Sequence, residues 1–222
     1  NANLLVFQRE ILKNTKKIKI DKKNLKNKNI MNVGSGREAL GFLQFNPSKI
    51  YLYDISKKNI KTFKKNLTGK KYKNIFKVKR LDLCKNKLPN NKFDLIYLHG
   101  IIQHTDNPGR ALKNIFSSLK SNGVIWLYFY RAGSFVNFLA SIQRVLIKKI
   151  NQNNFINFLR KNYDYKFVDR IIDDCFVPNR YLFYPSQYIN FIKKHNLEIY
   201  GNSLLLPNVR KKTCFNKFHS ST

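Results

Sequence analysis

An α/β fold built on a doubly wound, mostly parallel sheet is the architecture this sequence predicts, on three observations. Short apolar runs alternate with helical stretches over residues 29–131. The first run ends on the glycine turn Gly34-Ser35-Gly36, and the second closes on an acid, Asp54, about twenty residues later. Strands alternating with helices at this spacing imply parallel βαβ units with right-handed crossovers.

Residues 30–33 form the first apolar run, and Glu38-Ala39-Leu40-Gly41-Phe42-Leu43 after the turn reads as a helix. Residues 49–54 give the second strand. Ile60, Phe63 and Leu67 carry helical spacing that Thr68-Gly69 stops. Residues 75–79 read as a third strand, and 93–98 as a fourth, apolar enough to be buried on both faces. Pro108 opens a helix through Ala111, Leu112, Ile115, Phe116 and Leu119, expected to end near Asn122-Gly123. Residues 124–130 make a fifth, strongly apolar strand.

The rhythm then changes. An apolar stripe over 135–150 has helical spacing, with Arg144, Lys148 and Lys149 beside it. It predicts a helix that covers the core or an acceptor pocket, with weak membrane-surface contact as a second reading. Helical or irregular sequence continues to about Pro185. Residues 187–195 suggest another helix, and 197–206 a late strand or hairpin before a basic tail. The expected organisation is therefore an N-terminal helical segment (1–28), a core (29–131), a helical cap (132–196) and a final strand or hairpin with tail (197–222).

A chain of 222 residues with 43% hydrophobic content can bury a sizeable core. The formal net charge of +31 invites a nucleic-acid reading. The excess is mostly Lys, dispersed and mixed with Asn, a pattern that A- and T-rich coding also produces. Charge alone therefore defines no binding site. Cys84, Cys175 and Cys214 lack metal-ligand or redox spacing, so no metal is expected and a reducing cytoplasm is the simplest setting. No apolar run approaches the ~20 residues needed to span a bilayer.

A Gly-x-Gly turn opening a helix lets a ligand approach the backbone closely and presents N–H groups to it. Asp54 at a strand tip suits the two ribose hydroxyls of a nucleoside cofactor; its bland alternative is a helix cap with Ser56. The dinucleotide fingerprint places a third glycine two positions into the helix. No glycine appears here until Gly41, which disfavours a nicotinamide cofactor.

Four motifs in order make the pattern specific: Asn32-Val33-Gly34-Ser35-Gly36-Arg37-Glu38; Tyr53-Asp54-Ile55-Ser56; Leu81-Asp82-Leu83, leading into Leu88-Pro89 and Phe93-Asp94-Leu95-Ile96; and the loop Gly100-Ile101-Ile102-Gln103-His104-Thr105-Asp106-Asn107-Pro108. Together they resemble class I S-adenosylmethionine-dependent methyltransferases, the loop being most similar to the bacterial small-molecule branch. The resemblance implies S-adenosylmethionine as cofactor, with Gly34, Ser35 and Gly36 at its methionine end and Asp54, followed by Ile55, at its ribose. It puts Asp82 on the adenine amino group, Leu83 against the ring, and Leu98 and His99 at the reactive centre. The sequence departs from the family at Asn32, where an acid is frequent, and at Glu38, where a glycine is frequent.

A base is needed only where the acceptor must lose a proton; the candidates are His99, His104, Asp173 and Asp174, with His99 and His104 preferred. The structural alternative for His104 is to fix its loop. The acid-, arginine- and aromatic-rich run at 173–183 resembles the family's acceptor-side segment, so Asp173, Asp174, Arg180 and Tyr181, with Arg131, are candidate acceptor contacts. The expected function is methyl transfer to a small molecule, sugar, lipid or envelope precursor. Two readings stay open beside it: an RNA methyltransferase, motivated by charge, and a non-catalytic module retaining the fold.

Overall fold

The computed structural model describes residues 22–34, 36, 38–202 and 212–217. Ser35, residues 1–21 of the expected N-terminal segment and most of the basic tail lie outside them. The elements are α1 (Lys22–Leu25), β1 (Asn29–Val33), a 3-10 helix (Glu38–Phe45), β2 (Lys49–Asp54), α2 (Lys57–Leu67), β3 (Phe76–Arg80), β4 (Phe93–His99), α3 (Pro108–Ser118) and β5 (Leu119–Tyr128). After these come α4 (Phe135–Ile147), α5 (Gln152–Asn162), α6 (Tyr165–Cys175), α7 (Pro185–Lys194), β6 (Leu197–Asn202) and β7 (Lys212–Lys217).

The sheet runs β3-β2-β1-β4-β5-β7-β6. Its first five strands are parallel, and β7 lies antiparallel between β5 and β6. Chain order reverses between β1 and β4, which sets a ligand crevice at the carboxyl ends of those two strands.

Strand alternation divides the core into two layers. Met31, Ile96, Leu98, Ile125 and Leu127 face one side, with Ala111 and Ile115 of α3 and Tyr188 and Ile192 of α7. Ile30, Leu95, Tyr97 and Trp126 face the other, with Phe42 and Phe45 of the 3-10 helix and Phe63 and Leu67 of α2. Helices therefore cover both faces of the sheet, the doubly wound arrangement the sequence predicts.

Three local expectations are corrected. The helix after the glycine turn is 3-10, because its buried residues Ala39, Phe42 and Phe45 recur every third position and stack at three residues per turn. Helix α3 stops at Ser118, earlier than expected. Leu119 already pairs with Phe93, and the register resumes at Val124 opposite Leu95. Gly123 closes that irregularity, since a Cβ there would sit 2.9 Å from the Phe93 carbonyl oxygen. Lys120 is held over Asp94 at 2.9 Å.

The third correction concerns α4. Its apolar stripe turns outward: Phe135 is 72% exposed and Phe138 58%. The opposite face carries Asn137, Ala140, Ser141 and Arg144, and the helix packs through it against α6.

Candidate functional site

The site is built at the carboxyl ends of β1, β2 and β4. Gly34 (φ +120°) and Gly36 (φ +84°) turn the chain out of β1 in backbone regions that favour glycine. The Gly34 N–H donates to the Tyr53 carbonyl at 2.8 Å, tying the turn to β2. A Cβ on Gly34 would lie 3.1 Å from Ile101, so the turn directly adjoins the loop after β4.

At Gly36 a Cβ would sit 2.6 Å from the Phe63 ring and 2.7 Å from Leu52. Gly36→Ala should therefore combine backbone strain with overpacking and lower stability by about 3 kcal/mol, read as a fall in the thermal midpoint.

Asp54 is buried at the tip of β2. One carboxylate oxygen accepts from the Ser56 N–H at 2.7 Å, and the other from the Asn59 amide at 2.8 Å. Ser56, not Asp54, caps α2, through its hydroxyl and the Asn59 N–H. A carboxylate has about four acceptor positions, so each oxygen keeps room for a ligand hydroxyl. Next to this buried acid Ile55 is 59% exposed, an apolar surface available for stacking.

The Leu81 N–H donates to the Asp54 carbonyl, and the Arg80 side chain to the Ile55 carbonyl, which brings Asp82 to the same edge. One Asp82 oxygen accepts from the Cys84 N–H at 2.8 Å, and the other lies 3.9 Å from Lys85. Leu83 is buried below it. The Leu98 side chain is fully buried in the core, so only its backbone lies near the crevice.

His99 ends β4, and its Nδ1 meets Glu38 Oε1 at 2.7 Å, across 61 residues of sequence. A carboxylate can only accept, so Nδ1 donates to it and Nε2 is the ring nitrogen left for a ligand. The ring also stands edge-on to Tyr128, with centroids 4.8 Å apart. Glu38, read from the sequence only as a departure from the family, thus orients the histidine nearest the switch point.

His104 Nδ1 donates to the Asn179 carbonyl at 2.9 Å. The Tyr181 N–H donates to the Gln103 carbonyl at 2.8 Å, and the Asn179 amide to Asp106 at 2.9 Å. These bonds fasten the loop after β4 to the segment near Arg180. His104 fixes its loop, and Tyr181 is part of the same seam.

Two buried amides were missed by sequence reasoning as site residues. Both polar atoms of the Asn32 side chain, below the glycine turn, and both of Gln103, beside Gly100, are buried without a hydrogen-bond partner. Buried polar groups are ordinarily paired, so two unpaired amides flanking the carboxyl ends of β1 and β4 stand out. For Gln103 the only sequence signal was its place in the loop motif.

Of the candidate acceptor arginines, Arg180 is turned toward α4. The Arg180 side chain is 3% exposed and serves its own helices. It donates to Asn137 at 2.8 Å and to Ser141 at 3.3 Å, lies 3.5 Å from Asp174 and stacks over Tyr130. Asp174 is thereby its partner, whereas Asp173 is exposed on α6. Arg131 bridges to Phe183, and its carbonyl accepts from Asn137. Arg180→Ala should cost about 3 kcal/mol in urea unfolding by stranding Asp174, and lysine should recover only part of it.

Burial raises the Cys175 thiol above its ordinary range. Among the described residues no group of three or more His, Cys, Asp or Glu side chains is placed to hold a metal ion, and no helix is long and apolar enough to cross a membrane.

Comparison with known proteins agrees with the fold. Residues 31–127 match a family model described as methyltransferase domain. Over that stretch, which is less than half of the chain, the sequence is similar to methyltransferase domains. No curated protein matches it.

Among solved structures, PKMT2 from Rickettsia typhi superimposes with a TM-score of 0.64 at 17% identity, covering 87% of this chain and 49% of that one. That protein has also been solved in complex with AdoHcy. An S-adenosylmethionine-dependent methyltransferase from Mesorhizobium loti gives 0.58 at 13% identity, over 87% and 93% of the two chains. The YcgJ protein from Bacillus subtilis gives 0.54 at 15%, over 84% and 68%. At these identities the likeness is one of fold. The chain spans about half the length of the Rickettsia protein and two thirds of the Bacillus one.

Proposed function

We propose that the chain transfers a methyl group from S-adenosylmethionine to a small-molecule, sugar, lipid or envelope-precursor acceptor, with His99 as the base. The observation that carries this reading is the 2.7 Å contact between Glu38 and His99 beside the glycine turn.

The residues present fit the cofactor. The positive-φ glycines Gly34 and Gly36 let the backbone turn tightly out of β1, so a ligand can approach the Gly34 backbone closely. The unpartnered Asn32 amide lies beneath it for the aminoacyl end. Asp54 takes the ribose hydroxyls, Ile55 and Leu83 flank the adenine, and Asp82 accepts from its amino group. When bound, the cofactor supplies a methyl group already activated on a positively charged sulfur.

The protein's remaining tasks are positioning, exclusion of water and proton removal. His99 Nε2 accepts the proton of an acceptor hydroxyl or amine, and Glu38 stabilises the imidazolium that forms. Gln103 and Tyr128 border the place where the acceptor would lie, and the seam from His104 to Asn179 holds that border still.

Titration calorimetry with S-adenosylmethionine tests the first half of this proposal. Saturable one-to-one binding to the folded chain supports it, and a folded sample that takes up no cofactor overturns it.

A further inference from the structure

We infer that α4 docks the protein on the surface of an anionic lipid bilayer. A helix on a globular protein normally turns its apolar side to the core and its polar side to water. Helix α4 does the reverse. Phe135, Phe138, Leu139, Ile142, Val145 and Leu146 are each between 41% and 72% exposed.

The inward face is polar, and its contacts are specific. Asn137 and Ser141 receive Arg180, while Arg144 donates to the carbonyls of Asp174, Val177 and Pro178. The orientation is therefore locked by hydrogen bonds that a half-turn of the helix would break. An apolar patch held outward in this way marks an interaction surface.

Three occupants compete for it, and charge decides among them. With a net charge of +31, two copies of the chain repel, which opposes self-association. A bare polyanion such as RNA satisfies the charge but leaves the apolar face wet. An anionic bilayer satisfies both, because its acyl boundary takes the apolar face and its headgroups take the lysines.

Lys148 and Lys149 are exposed directly beyond the helix, and Ile150 after them is 49% exposed. At 13 residues α4 is about 20 Å long, too short to span a bilayer and suited to lie along its surface. The inference rests on α4 and on the charge of the chain, and it does not require methyl transfer.

Vesicle flotation tests it, using phosphatidylcholine vesicles with and without a quarter of phosphatidylglycerol. The full chain should float with the anionic vesicles and only weakly with the neutral ones. Phe138→Ser combined with Leu146→Ser leaves every charge in place, alters only exposed positions and should weaken partitioning at least tenfold. The emission of a Phe138→Trp variant should shift to the blue and be quenched by brominated lipid, against the buried Trp126 as the single native tryptophan.

Absence of flotation overturns the inference, as does flotation that the double serine variant retains, since that is electrostatics alone. A wild-type dimer in light scattering that the same variant converts to monomer also overturns it, and assigns the face to a second copy. Cofactor calorimetry is independent of all these outcomes.

Discussion

Replacing Asp54 with alanine should weaken S-adenosylmethionine binding by two to four orders of magnitude. A hydrogen bond to a charged group contributes roughly 1.5–3 kcal/mol, and this carboxylate is placed to accept two from the ribose. Asp54→Asn provides the control. It preserves shape and one acceptor oxygen, so its loss should be intermediate.

The substitution also removes the internal partners of the Ser56 N–H and the Asn59 amide. The thermal midpoint should fall modestly, which separates a folded chain that has lost its ligand from an unfolded one. Unchanged affinity in a folded Asp54→Ala sample would sink the ribose assignment.

The second large effect is expected at His99. General base catalysis typically contributes 10²- to 10⁴-fold, so His99→Ala should lower the rate of label transfer from methyl-labelled cofactor by about that factor. Cofactor affinity should stay within a few-fold of wild type, because the residue acts on the acceptor. Glu38→Gln keeps a hydrogen-bonding partner but removes the charge that stabilises the imidazolium, so a smaller loss is expected. Residues that act as a unit are non-additive. The double variant should therefore be no slower than His99→Ala alone, and a multiplicative loss would show that the two act separately.

Much of this site was legible because local chemistry wrote it into the chain. Gly34, Gly36, Asp54 and Asp82 lie within short motifs whose order and spacing are fixed by the β1–β3 succession. What was illegible depended on partners distant in sequence. Glu38 looked like a mere departure because its partner lies 61 residues away. The packing of Arg180 was likewise illegible because Asn137 and Ser141, its partners on α4, are 43 and 39 residues distant.

Helix α4 failed for another reason. Periodicity locates an apolar stripe but does not say which way it points, and the inward hydrogen bonds of Arg144 and Arg180 decide that.

Cofactor-dependent amide hydrogen exchange tests the central claim most directly, because it reads the whole crevice at once. S-adenosylhomocysteine, the demethylated cofactor, should slow exchange in three separate stretches: the turn around Gly34 and Gly36, the Asp54–Ser56 tip, and the Asp82–Cys84 loop. Protection confined to other surfaces, or binding that leaves all three stretches unchanged, would contradict the account.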